Sequence, residues 1–122
     1  MKHNFKELLV WKKSIDLVKS VYQLTSSLPS EEKFGLISQM NRSSVSIPSN
    51  IAEGSGRTSS KEFLYFLNIA ISSSYELETQ LIISNQLFLR DVENILSQIS
   101  EVQKMILGLK KNIENNLINA RN

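Results

Sequence analysis

From Leu8 to Leu117 the apolar residues of this chain return at steps of three and four, and nowhere do they alternate at steps of two. That spacing predicts helices throughout and no strand. The first periodic segment runs from about Leu8 to Ser26 and carries two stripes, Trp11, Ile15, Val18 and Tyr22 on one line and Val10, Leu17, Val21 and Leu24 on the next. Together they cover about 200° of the wheel, whereas packing on one core needs ~100°. Val10, Leu17 and Val21 are therefore expected to face a partner beyond the chain's own core. Lys12, Lys13, Asp16, Lys19 and Gln23 fill the remaining arc.

Leu28-Pro29-Ser30 interrupts the pattern, and Ser30 followed by Glu31 and Glu32 reads as an N-cap with carboxylates at the positive end of a helix. A second helix is expected to start near Glu31, with Gly35 in its first turns allowing a neighbouring helix to come close. Its centre, Gln39 to Arg57, has an unusual polar side. Gln39, Arg42, Ser46, Ser49, Asn50 and Glu53 share one face, opposite Leu36, Met40, Ile47 and Ile51. Short hydroxyl and amide groups suit close hydrogen bonding, so this face reads as a seam rather than a solvated surface. Pro48 removes a backbone donor and crowds the Ser44 carbonyl, which predicts a kink, because the stripe keeps its phase through Glu53. Gly54 and Gly56 are expected to end the helix through a left-handed cap.

Ser59-Ser60-Lys61-Glu62 is a capping-box pattern that opens a third helix. Phe63, Phe66, Leu67, Ala70, Leu77 and Leu81 form its core stripe, Leu64, Ile71, Tyr75 and Ile82 a second, and Tyr65, Ile69 and Ile83 a third. A helix apolar on nearly every side is expected to be buried on nearly every side. Asp91 is the expected N-cap of a fourth helix whose single stripe runs Val92, Ile95, Ile99, Val102, Ile106, Leu109, Ile113 and Leu117, with residues Asn119 to Asn122 frayed. Short connections between four helices predict an all-α, up-down-up-down antiparallel four-helix bundle in one domain spanning residues 1–122. Leu64, Ile71, Tyr75 and Ile82, with Val10, Leu17 and Val21, exceed what one bundle hides, and a second copy of the chain is the simplest cover.

Composition closes several routes to chemistry. The 122 residues contain no cysteine, which removes disulfides and thiolate ligands or nucleophiles. A net charge of +2, from 14 basic and 12 acidic residues, does not by itself indicate nucleic acid. Lys2, Lys6, Lys12, Lys13 and Lys19 nevertheless gather in or near the first helix. Neither a signal-peptide core nor an apolar run of about 18 residues is present, so a soluble, cytoplasmic protein without a membrane contact is expected.

With these residues in view, the chain resembles the 23S rRNA intervening sequence proteins, to which the accessory proteins of diversity-generating retroelements are similar. Phe5, Leu8, Val10 and Trp11 match the family's opening motif, and Pro29, Glu32, Gly35 and Leu36 its approach to the second helix. Gln39, Arg42, Ser46, Ile47, Asn50, Ile51, Ala52, Glu53, Gly54 and Arg57 match the central SIxxNIAEGxxR signature, and Phe63, Leu67, Ala70, Ser73, Glu76 and Glu78 the third helix. Asn41 stands where many members have arginine and Ser72 where many have glycine. The resemblance implies a four-helix bundle assembled as a homopentamer. It also implies a partnership with RNA or with a ribonucleoprotein such as a reverse transcriptase complex.

The polar positions Gln39, Arg42, Ser46, Asn50, Glu53, Arg57, Glu62 and Glu76 are expected to form a structural cluster, since carboxylate and guanidinium groups on adjacent helices are more often buried pairs than ligand sites. Gly54-Ser55-Gly56-Arg57-Thr58-Ser59 lacks the lysine, spacing and preceding strand of a phosphate loop. Paired Glu-x-x-His motifs for a di-metal centre are missing, the one histidine being His3, which leaves only a carboxylate site at Glu53, Glu62 and Glu76 to consider. No base is available for a serine nucleophile. Trp11 shares its arc with Ile15 and Val18 and is expected to pack rather than stack a base. The reading is a non-enzymatic homo-oligomer without a cofactor, whose candidate nucleic-acid contacts are Lys12, Lys13, Lys19, Lys104, Lys110 and Lys111. Its alternative is a protein-protein adaptor that binds no nucleic acid.

Overall fold

A computed structural model of the chain describes residues 4–121. Lys2, His3 and Asn122, to which the sequence assigned places, lie outside the described residues. Four helices follow a short 3-10 turn at Phe5–Glu7: α1 (Leu9–Thr25), α2 (Leu36–Ser55), α3 (Ser60–Phe88) and α4 (Glu93–Arg121). α1 packs on α2 and α4, and α3 packs on α2 and α4, and among the described residues the backbones do not approach closely across either diagonal. Neighbours in the chain are thus neighbours in space, which is the expected antiparallel bundle. α3 and α4, each of 29 residues, reach about 44 Å and outrun the 17-residue α1.

The core holds Val10, Leu17, Val21 and Leu24 of α1, Met40, Ile47 and Ile51 of α2, Phe63, Leu67, Ala70, Ile71, Leu77 and Leu81 of α3, Val92 just before α4, and Ile95, Ile99, Val102, Ile106 and Ile113 of α4. This reverses the expectation for α1. Val10, Leu17 and Val21 are enclosed within the chain, and so is Ile71, so none of the four can meet a partner. The reason is geometric: α1 touches two helices, and its inward direction bisects them. The Trp11 line falls on the α2 flank instead and is only half-buried.

Small hydroxyl residues let these helices approach. Ser14, Ser44, Ser55 and Ser74 are fully buried, and each hydroxyl donates to the carbonyl three residues earlier, Trp11 at 2.7 Å, Asn41 at 2.9 Å, Ala52 at 2.9 Å and Ile71 at 2.6 Å. These four are buried without an unmet donor, whereas the fully buried Ser84 hydroxyl of α3 has no partner among the described residues. Gly54 serves the same end in α2. A Cβ there would stand 2.8 Å from Phe66 Cβ and 2.9 Å from Phe63 Cδ1 of α3.

Several boundaries differ from expectation. Ser30–Glu32 form a separate 3-10 turn and α2 begins only at Leu36, where Glu32 Oε1 accepts from the Leu36 N–H at 3.3 Å. Gly35 therefore precedes α2, and a Cβ there would meet Glu32 rather than another helix. α2 continues through Pro48 to Ser55. Gly56 caps it at φ −84°, so no left-handed glycine ends this helix, and the signature glycine Gly54 is needed for contact and not for conformation. Ser59 accepts from Glu62 N at 3.3 Å as the capping box predicts. Asp91 Oδ1 accepts from Glu93 N at 3.1 Å as a cap would, but α4 begins at Glu93, so Asp91 stands two residues before the helix, and α4 extends through Asn119 to Arg121.

The left-handed residue lies elsewhere, at Leu89, with φ 53° and ψ 39° at the end of α3. Its side chain is 84% exposed, so no packing offsets the steric penalty that a Cβ brings in this region. Leu89→Gly is expected to raise stability by about 1 kcal/mol. A rise in the urea midpoint at unchanged slope checks it.

Candidate functional site

The polar stripe of α2 divides into three parts. At its centre, Asn50 Nδ2 donates to the Ser46 carbonyl at 2.8 Å and to Ser46 Oγ at 3.0 Å, and Ser46 Oγ meets Ser73 Oγ of α3 at 2.8 Å. Ser46 Oγ, with two lone pairs and one proton, can accept from the amide and either donate to or accept from Ser73. Here the seam is real. It ties α2 to α3 at the level of the buried Ser73.

At the C-terminal end, Arg57 bonds Glu53 one turn back, lies 3.8 Å from Glu62 Oε2 and stacks on Phe66 with its guanidinium carbon 4.9 Å from the ring centroid. These contacts fix the turn between α2 and α3. The pair is not buried as expected, the Arg57 and Glu53 side chains being 40% and 54% exposed. In that setting solvent screens the attraction. Glu53→Ala is expected to cost about 1 kcal/mol or less, seen as a drop of a few degrees in melting temperature.

Gln39, Arg42 and Glu76 do not join either group; all three are exposed and make no side-chain hydrogen bond or ion pair among the described residues. Glu53 and Glu62 converge on Arg57 without Glu76, and among the described residues no three His, Cys, Asp or Glu side chains gather as metal ligands. The stripe is a helix-pairing device flanked by open surface.

Other links were not visible in the sequence. Thr25 Oγ1 donates to Asn41 Oδ1 at 2.9 Å, joining α1 to α2. Gln103 of α4 donates to Ser74 Oγ at 3.2 Å and to Glu78 Oε1 at 2.9 Å on α3. Arg90 reaches across the end of the bundle to the Ser27 carbonyl at 2.6 Å. A hydrogen-bonding type at a helix flank was the available signal, but its partner lies on another segment.

The lysines fall into two kinds. Lys13 pairs with Glu101 of α4 at 3.2 Å, and Lys110 is partly buried. Lys12 and Lys19, two turns apart on α1, and Lys104 and Lys111, two turns apart on α4, are exposed and make no ion pair among the described residues. Asp16 is the one carboxylate in α1.

Apolar side chains remain partly open on α1 and on α3. Trp11, Ile15 and Val18 form a groove with Val45, Pro48 and Ala52 of α2. Phe5 makes an edge-on contact with Trp11, ring centroids 5.3 Å apart. On α3, Tyr65, Tyr75, Ile82 and Ile83 are 40–61% exposed, while Leu64 rests against the core. Of the interface expected from sequence, Tyr75, Ile82 and part of Leu64 are accessible. On α1 the partly open residues are Trp11, Ile15 and Val18, while Val10, Leu17 and Val21 are enclosed.

The model of one family, the 23S rRNA-intervening sequence proteins, matches residues 6–108, from the 3-10 turn to the middle of α4. The chain belongs to that family. Among solved structures, the chain is similar to a protein of unknown function from the S23 ribosomal protein family of Bacteroides thetaiotaomicron. The two are 28% identical over 84% of this chain and 99% of that chain, with a TM-score of 0.78. No curated protein matches the chain in sequence. The family match includes the seam, the Arg57 turn and the lysines Lys12, Lys19 and Lys104. Lys111 and the last turns of α4 lie beyond it. No helix among the described residues is long and apolar enough to cross a membrane.

Proposed function

We propose that this protein is a non-enzymatic, cytoplasmic homo-oligomer, a pentamer by family resemblance, that holds RNA or a ribonucleoprotein through the lysine faces of α1 and α4. The observation that carries the proposal is the set Lys12, Lys19, Lys104 and Lys111, four exposed cations on two adjacent helices with no internal ion pair among the described residues. A helix face of spaced cations meets phosphates without reading sequence. Oligomerisation is supported by the open groove at Trp11, Ile15 and Val18 and by exposed Tyr75 and Ile82. Symmetry would then repeat the lysines, so that a net charge of +2 per chain becomes a continuous basic surface.

The test is binding of a labelled single-stranded RNA over a range of salt. Log affinity is expected to fall linearly with log salt, with a slope of about 0.7 per neutralised phosphate. Reversing Lys12, Lys19, Lys104 and Lys111 to glutamate is expected to weaken binding at least tenfold and flatten the slope, with the mass by light scattering unchanged. Lys13→Glu is expected to do less to RNA, because Lys13 is already engaged by Glu101. Binding that ignores both salt and the four substitutions refutes the lysine faces. No RNA binding at low salt leaves the protein-adaptor reading.

A further inference from the structure

The two most exposed large apolar side chains lie at one end of the bundle. Phe34, 89% exposed, precedes α2, and Leu89, 84% exposed, follows α3. The antiparallel order puts both connections at that end, and Arg90 joins them through Ser27. Neither side chain is needed by the fold. Leu89 also occupies a left-handed position where glycine carries no penalty, and it holds an apolar group out into water. The Leu89 N–H caps α3 by donating to the Asn85 carbonyl at 2.9 Å, so the backbone there is an ordinary helix end, and it is the pair of exposed apolar side chains that points to a contact outside the chain.

Charge narrows the occupant. Residues 30–35 and 89–93 carry Glu31, Glu32, Asp91 and Glu93 against Lys33 and Arg90, and among the described residues none of the four carboxylates makes an ion pair. Asp91 accepts from the Glu93 N–H and Glu32 from the Leu36 N–H, so both keep their negative charge in place. The Arg90 guanidinium is committed to the Ser27 and Phe88 carbonyls. A surplus of fixed carboxylates repels phosphate, which disfavours RNA and anionic lipid here. We infer that this end of the bundle docks a basic, leucine-bearing segment of another protein, its apolar side chains on Phe34 and Leu89 and its cations on the carboxylates around them. The site stands apart from the lysine faces and does not depend on RNA binding.

The probe is a labelled 18-residue peptide of leucine and lysine at helical spacing, titrated onto the full chain at low salt and followed by anisotropy. Saturable binding is expected. It should weaken at least tenfold in the double variant Phe34→Ser, Leu89→Asn, in which asparagine tolerates the left-handed backbone, and in Glu31→Gln, Glu93→Gln. It should vanish when glutamate replaces the peptide's lysines. Circular dichroism melting shows that each variant is folded. Unchanged binding in the double variant, or equal binding of the leucine-glutamate peptide, overturns the proposal. A drop in assembly mass in the double variant also overturns it, by assigning this end to a second copy of the chain. Binding of anionic vesicles that the double variant abolishes does the same in favour of a membrane.

Discussion

Leu17→Ala is expected to destabilise the fold by about 3 kcal/mol, and the loss should not depend on protein concentration. Leu17 is 0% exposed among core residues of all four helices, so truncation removes apolar contacts and leaves a cavity, for which Leu→Ala changes cost about 2–5 kcal/mol. Had Leu17 faced a second copy, as the spread of apolar residues on α1 suggests, the loss would appear as dissociation and would fade at high concentration. Urea unfolding at two concentrations a hundredfold apart separates these outcomes. The complementary change, Tyr75→Ser with Ile82→Ser, alters exposed positions and is expected to move the unfolding free energy of the isolated chain by about 0.5 kcal/mol or less. A lower assembly mass in that variant supports α3 as part of the oligomer contact.

Gly54→Ala is expected to cost about 1–3 kcal/mol, although alanine is the better helix former. The new methyl would meet Phe66 Cβ at 2.8 Å, an atom fixed to the α3 backbone that no rotamer change can withdraw. Separating α2 from α3 to relieve it would stretch the Ser46 to Ser73 bond, 2.8 Å long. The same substitution at Gly108, in the interior of α4, meets nothing within 4 Å and is expected to stabilise by up to about 1 kcal/mol. At Gly56 the nearest atom to a Cβ is 3.8 Å away and φ is −84°, so alanine is expected to be neutral or mildly stabilising. Thermal melts of the three single variants are expected to give opposite signs for one chemical change at Gly54 and Gly108. A melting temperature for Gly54→Ala equal to or above the parent's would remove close approach as the reason for this glycine.

These contrasts also mark how far the residues speak for themselves. The steps of three and four produced four helices in the right order, and Ser59 marked a start correctly because a cap is a contact between residues three apart. The α4 stripe from Val92 to Ile113 was equally plain, since a helix with one apolar line has one way to face inward. α1 had two lines, and nothing along the chain distinguishes them. The inward one, Val10, Leu17 and Val21, became so only when α2 and α4 took positions on either side. Gly54 shows the same limit, its partner atoms belonging to Phe63 and Phe66 of another helix. The stripe of α2 announced hydrogen bonding by its chemistry, yet Ser46 and Asn50 found it while Gln39 and Arg42 did not. Helical periodicity places a side chain at an angle about its own axis. What stands at that angle, a core, a hydroxyl of α3 or water, is decided by segments tens of residues away, and therefore by the tertiary structure alone.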